Sequence, residues 1–195
     1  MLRHRYSQWQ MTAPRKTLED VLLAAQRLGT LGDRPIPEVI EHARYFVHAL
    51  EGVSGRVADI GTGAGVPGLV IAVDRPDLEM VLVDRRENRM DELSRGVASM
   101  GLSERVKVLI EDVETMGTAP EYAAQFDAVV SRGFGPPDLT ARLARTLLKN
   151  GGRLVVSEPP LFDPSRWPED LLQRTHFGAP EYLLGVVVLT ATLEK

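Results

Sequence analysis

The residues best placed to do chemistry lie in VADIGTGAGVPGLVIAVDRPDLEMVLVD, positions 57–84. Gly61, Gly63 and Gly65 form one glycine signature, and Gly63, Gly65 and Gly68 form an overlapping one spelled G-x-G-x-x-G. Glycines between a buried strand and a helix let backbone N–H groups approach a ligand with no Cβ in the way. The helix N-terminus behind them favours anionic groups. The loop is not a P-loop, because Leu69-Val70 stand where the Lys-Ser/Thr of a triphosphate site would be.

Acidic residues at neighbouring strand ends narrow the choice of ligand. Asp59 ends the first strand two residues before Gly61 and is expected to point into the turn. A carboxylate there opposes a pyrophosphate but suits the ammonium and sulfonium of S-adenosylmethionine (SAM). Asp84 ends the next strand, 19 positions after Gly65, where a carboxylate can accept hydrogen bonds from both ribose hydroxyls. NAD would use Asp84 in the same way, so that residue identifies an adenosine ribose and no more. Glu111-Asp112-Val113-Glu114 ends the third strand, where an adenine edge would lie, with Asp112 as its acceptor. Arg132 follows the fourth strand, where its guanidinium can hold a carboxylate or a phosphate. Together these residues favour SAM over NAD.

The elements that must position them read as follows. Thr17-Leu18-Glu19-Asp20 opens a helix that runs to Gly29, TLGDRPIP is a loop, and a second helix starts at Pro37 with Ile40, Ala43, Val47 and Leu50 on one face. Residues 1–54 therefore make a tail and a helical cap, and 55–195 a second unit that holds the ligand. In that unit short apolar strands, Val57–Ile60, Met80–Val83, Val106–Ile110, Phe126–Val130 and Arg153–Ser157, alternate with helices at Gly68–Val73, Asn88–Met100 and Leu139–Leu148. A short strand at Thr175–Phe177 and the β-branched run LLGVVVLTATLE complete seven strands. Near-continuous apolar strands alternating with helices predict an α/β fold with a mostly parallel sheet covered on both faces.

Composition sets the outer bounds. The 195 residues include no cysteine, which excludes disulfides, thiolate metal sites and cysteine nucleophiles. His42 and His48 fall on different faces of one helix, so no metal site is expected. No apolar run reaches the roughly 18 residues of a membrane span, and the N-terminus lacks the apolar core of a signal peptide, so a cytoplasmic protein with no membrane partner is expected. The formal charge is −4, but residues 1–57 hold eight Lys/Arg against six Asp/Glu. The first 16 residues carry four bases and no acid, either a phosphate contact or a solvated tail.

The motifs ADIGTGAGVPGLVIA, LVDRRENRMDEL, EDVE and FDAVVSRGF, with IPEVIEHARYFVHAL before them, resemble the class I SAM-dependent methyltransferases, and within them the small-subunit rRNA guanine-N7 methyltransferase family (RsmG, formerly GidB). Pro67-Gly68 and Ser131-Arg132 are more specific to it than the glycine turn, and the resemblance covers roughly residues 36–157. It implies a Rossmann-like seven-stranded methyltransferase fold and cofactor contacts at Gly61, Val66, Val113, Glu114 and Arg132. It also implies a SAM cofactor leaving as S-adenosylhomocysteine, and 16S rRNA or the small ribosomal subunit as partner.

The chain departs from the family where Asp112 and Glu158 replace basic positions and where Tyr45 replaces an aspartate. A small-molecule acceptor, or SAM binding without catalysis, therefore stays open. No catalytic residue is assigned, because guanine N7 presents a free lone pair and needs no proton removed. EPPL at 158–161 resembles the tetrad of amino-group methyltransferases in spelling but follows the wrong strand and is read as a loop. Phe134 could stack on a flat ring or pack under its own loop, and Arg85, Arg86 and Arg89 could face RNA or solvent. Neither the methyl acceptor nor the oligomeric state is fixed by these residues.

Overall fold

The computed structural model describes residues 15–161 and 163–193. The basic first 14 residues, with the possible phosphate contact, lie outside that range. Two helices come first, α1 (Leu18–Arg27) and α2 (Ile36–Ala49). The Thr17 hydroxyl accepts from the Asp20 N–H while the Asp20 carboxylate accepts from the Thr17 N–H, a capping box that fixes where α1 begins. There follow β1 (Gly55–Ile60), α3 (Gly68–Asp74), β2 (Leu78–Asp84), α4 (Glu87–Ser99) and β3 (Val106–Ile110). Then come α5 (Val113–Met116), β4 (Phe126–Ser131), α6 (Pro137–Leu147), β5 (Leu148–Ser157), α7 (Glu169–Arg174), β6 (Glu181–Leu183) and β7 (Val186–Thr190).

The seven strands form one sheet in the order β3-β2-β1-β4-β5-β7-β6. The first five are parallel, whereas β7 runs antiparallel to both β5 and β6, so the sheet is mixed and mostly parallel. Side chains that alternate along each strand enter two separate cores. Val57, Met80, Leu82, Ala128, Val130, Val155 and Val186 join the core that α1, α2, α3 and α4 cover. Ala58, Ile60, Val81, Val83, Val129, Leu154, Val156 and Val187 join the one beneath α5, α6 and α7. Helices therefore lie on both faces. Among the described residues no helix is long and apolar enough to cross a membrane.

One expected strand is corrected. Thr175–Phe177 contributes only an isolated bridge from Phe177 to Ala191, because Thr175 closes the last turn of α7 through its N–H and hydroxyl to the Leu171 carbonyl. The strand that pairs with β7 is Glu181–Leu183, joined to it through Leu184-Gly185, with Gly185 at φ 73°. Strand β5 also starts five residues earlier than its apolar run, with Leu148 opposite Phe126.

Candidate functional site

Between β1 and α3 the chain makes a tight turn over the carboxyl ends of the parallel strands. Gly61 sits at φ 69°, and a Cβ there would come within 2.7 Å of the Phe134 ring. Gly65, at φ 91°, faces the other way, since a Cβ on it would meet Leu69 and Leu93 at 2.8 and 2.7 Å. The first glycine keeps room where the turn meets the loop after β4, and the second lets the turn sit down on α3 and α4.

Asp59 does not point into the turn as expected, but lies under it. It shares the face of β1 that Val57 occupies and is fully buried. One oxygen, Oδ2, accepts from the Thr62 hydroxyl at 2.7 Å and from the Gly68 N–H at 2.8 Å, tying both ends of the loop to the strand. Its Oδ1 has no hydrogen-bond partner among the described residues. Burial pushes this carboxyl up to about 7, against the pull of the Thr62 and Gly68 hydrogen bonds and the nearby Arg132 charge.

Above the loop lies a cavity of about 460 Å³ at the carboxyl ends of β1, β2, β3 and β4. It is within the size range of small-ligand sites. Gly61, Gly63 and Val66 line it from the loop, Asp84 from the end of β2, Asp112, Val113 and Glu114 from the start of α5, and Arg132 from the end of β4. Asp59 and Gly65, also expected there, support the loop from below and behind. Asp84 is held by two backbone donors, Gly63 N–H at 3.2 Å and Arg86 N–H at 3.0 Å, one on each oxygen. A carboxylate has about four lone-pair sites, so two stay available to hydroxyls of a ligand. The Asp112 side chain caps α5 by accepting from the Glu114 N–H at 2.9 Å.

Arg132 is half-buried and makes no ion pair among the described residues. Burial pushes its pKa down, the Asp59 charge draws it back up, and Arg34 pushes it down again. It remains a cation beside the cavity in need of an anion. Arg85, Arg86 and Arg89 line the wall above Asp84. Phe134 lines the cavity while also packing against the core beneath α6. The wall residues Thr30, Leu31 and Gly32 come from the α1–α2 loop and were not anticipated. Only the Gly and Pro residues of that loop hinted at an irregular segment. Leu139 and Leu143, from α6, carry no sequence signal beyond helix amphipathicity. Among the described residues no group of three His, Cys, Asp or Glu could hold a metal.

The family model for GidB, rRNA small subunit methyltransferase G, matches residues 18–158. The chain belongs to the GidB family. Every residue lining the cavity falls inside the matched segment. Among relatives, the ribosomal RNA small subunit methyltransferase G of Moorella thermoacetica is 35% identical over 107 residues, 55% of this chain and 44% of that protein. The protein of the same name from Mycobacterium marinum is 33% identical over 155 residues, 80% of this chain and 63% of that protein. The chain thus spans about half the length of the relatives it matches. A solved candidate SAM-dependent methyltransferase from Methanococcus maripaludis superposes with a TM-score of 0.65 at 16% identity, covering 95% of this chain and 99% of that one. That likeness gives this GidB-family chain the Rossmann-like methyltransferase fold.

Proposed function

We propose that this protein is a SAM-dependent methyltransferase that acts on small-subunit ribosomal RNA, at guanine N7. The observation that carries the reading is that the GidB match spans the whole lining of the cavity at the carboxyl ends of the strands. That is where open α/β sheets take their ligands. The donor set fits the cofactor. Asp84 offers two free lone-pair positions to the ribose, Val113 offers an apolar face to the adenine, and Asp112 a carboxylate beside it. Arg132 offers the unpaired guanidinium that a carboxylate needs. When bound, SAM supplies a methyl group on a sulfonium.

The work left to the chain's own residues is positioning. The glycine loop and Asp84 fix the adenosine half, Arg132 the amino-acid half, and the acceptor must meet the methyl in line. A lone pair at a ring nitrogen needs no base, and none is assigned. The acidic residues Asp112 and Glu158 favour a second reading, a small-molecule acceptor. Radiolabelled methyl transfer tests both, using undermethylated small subunits, protein-free rRNA and a metabolite extract in parallel. Label in rRNA, located at guanine N7 by nucleoside analysis, is the expected result; label confined to metabolites would give the second reading its place.

A further inference from the structure

A second cavity, of about 410 Å³, opens beside the first between α2, the loop after β5 and the β6–β7 hairpin. Its side chains are of three kinds. Tyr45, Tyr182 and Pro159-Pro160 offer flat or apolar walls. Arg34, exposed and in no ion pair among the described residues, offers a cation. Glu158 and His42 offer polar atoms that are nearly closed off from solvent. The Glu158 side chain is 7% exposed; Trp167 Nε1 donates to its Oε1 at 2.9 Å, and Arg166 Nε forms an ion pair with its Oε2 at 3.1 Å. One of its four lone-pair sites is taken by the Trp167 hydrogen bond, which leaves acceptor capacity toward the cavity that Glu158 lines. His42 Nδ1 is buried with no partner among the described residues.

The two cavities are neighbours along the sheet. Ser131 of β4 pairs with Val156 of β5, so Arg132 and Ser157 come next on adjacent strands about 4.8 Å apart, and Glu158 one residue further. The same α1–α2 loop walls both, for Gly32 lines the first and Arg34 the second, at most about 7 Å along the chain. Arg132 is also close enough to His42, with Arg34, to reinforce what burial does to that imidazole, keeping it neutral.

We propose that this second cavity is the acceptor site and that it takes a guanine-type base, read on its donor edge by Glu158 with Arg34 available to the ring carbonyl. The proposal rests on the methyltransferase reading above. A buried carboxylate with free lone pairs selects a ring edge that presents adjacent N–H donors. Guanine presents N1–H and its 2-amino group there, whereas adenine presents a bare N1 acceptor that would face the carboxylate lone pairs. An edge held by Glu158 leaves the N7 side of the ring free. Alkylation at N7 gives the neutral ring a positive charge with no proton lost, and the nearby carboxylate favours that charge as it forms. The acid at position 158 thereby gains a role that a basic residue there would not have.

The test is made on the full chain saturated with S-adenosylhomocysteine, whose binding is measured first by calorimetry. No binding at that stage overturns the methyltransferase reading and the proposal with it. GMP and AMP are then titrated while the His42 imidazole resonances are followed by NMR. The proposal expects saturable GMP shifts at His42, AMP at least about tenfold weaker, and GMP affinity reduced about tenfold in Glu158→Gln. Arg34→Ala changes an exposed loop residue, leaves folding untouched, and is expected to weaken GMP several-fold. A His42 signal unmoved by GMP, with S-adenosylhomocysteine bound normally, overturns the site. Equal GMP and AMP affinities, or full GMP affinity in both variants, overturn the edge assignment.

Discussion

Replacing Asp84 by alanine separates a ribose-binding carboxylate from one that only shapes the loop. In the folded protein its oxygens accept the Gly63 N–H at 3.2 Å and the Arg86 N–H at 3.0 Å. Two lone-pair positions are left for ligand hydroxyls. A hydrogen bond to a charged group contributes roughly 1.5–3 kcal/mol, and a half-buried residue sits at the low end. Two of them amount to about 3–4 kcal/mol, a loss of roughly 10²–10³-fold in affinity. Asp84→Asn keeps one acceptor oxygen and turns the other into a donor, so its loss should fall between wild type and alanine. Calorimetric titration with S-adenosylhomocysteine reads the affinity, and denaturant unfolding of the free protein reads the loop contribution separately. If the alanine variant binds within about threefold of wild type, Asp84 does not hold the ribose. A loss of affinity that only tracks a loss of folded protein would assign it to the loop alone.

Asp59 ties stability to pH. Its folded pKa, about 7, lies above the ordinary aspartate value of 3.8, so between those values the folded state keeps a proton that the unfolded state has released. Stability therefore falls as pH rises through that window, by about 1.4 kcal/mol per unit and about 4 kcal/mol in all, and levels off above 7. Urea unfolding of wild type and Asp59→Asn from pH 4 to 8 should show this slope in their difference; a flat difference would mean the carboxyl is ionised throughout. Gly61→Ala places a Cβ at φ 69° and 2.7 Å from Phe134, which should cost about 1–3 kcal/mol of stability. It should also lower S-adenosylhomocysteine affinity at least about tenfold; wild-type values for both would refute the close approach. Arg132→Ala should weaken the same ligand about tenfold or more. It should also raise the His42 pKa seen by NMR, because one of the cations that depress it is gone. An unmoved His42 would place Arg132 elsewhere.

The central strands were legible because each is a near-continuous apolar run, the pattern of a strand buried on both faces. Strand β6 was not, since Glu181-Tyr182-Leu183 is three residues long with both ends exposed. The first residues of β5 were hidden too, since Lys149-Asn150-Gly151 looks like a turn and joins the sheet only because Leu148 finds Phe126. Asp59 could have been placed better. The period of two along β1 sets it on the same face as Val57, under the helix that follows, and not in the turn above. Asp84, Asp112 and Arg132 were easier, because parallel strands end at one edge of the sheet and their following residues converge there whatever the side-chain detail. No local pattern places Thr30, Leu31 and Gly32 beside the glycine loop. They arrive through the packing of α1 and α2 against α3 and α4, which is tertiary information.

The formal charge of −4 argues against RNA as a partner only if the charges are averaged over the surface. They are not averaged here. Arg44, Arg75, Arg142, Lys149, Arg166 and Arg174 are each paired with a carboxylate. Arg85, Arg86, Arg89 and Arg132, all on the first cavity, and Arg34 on the second make no ion pair among the described residues. Others such as Arg56, Arg95 and Lys107 make none either, but these five are the ones that line a cavity. At physiological salt an exposed charge is felt over about 8 Å, so a phosphate near the cavity mouth responds to these unpaired guanidiniums and hardly at all to acids on remote faces. The acids that do share the first cavity, Asp84, Glu111, Asp112 and Glu114, lie at the ends of β2 and β3, where an adenosine needs acceptors. On the proposed function, Arg85, Arg86 and Arg89 would meet an incoming polyanion while Arg132 and the acids would hold the cofactor, and the overall sign of the chain decides neither.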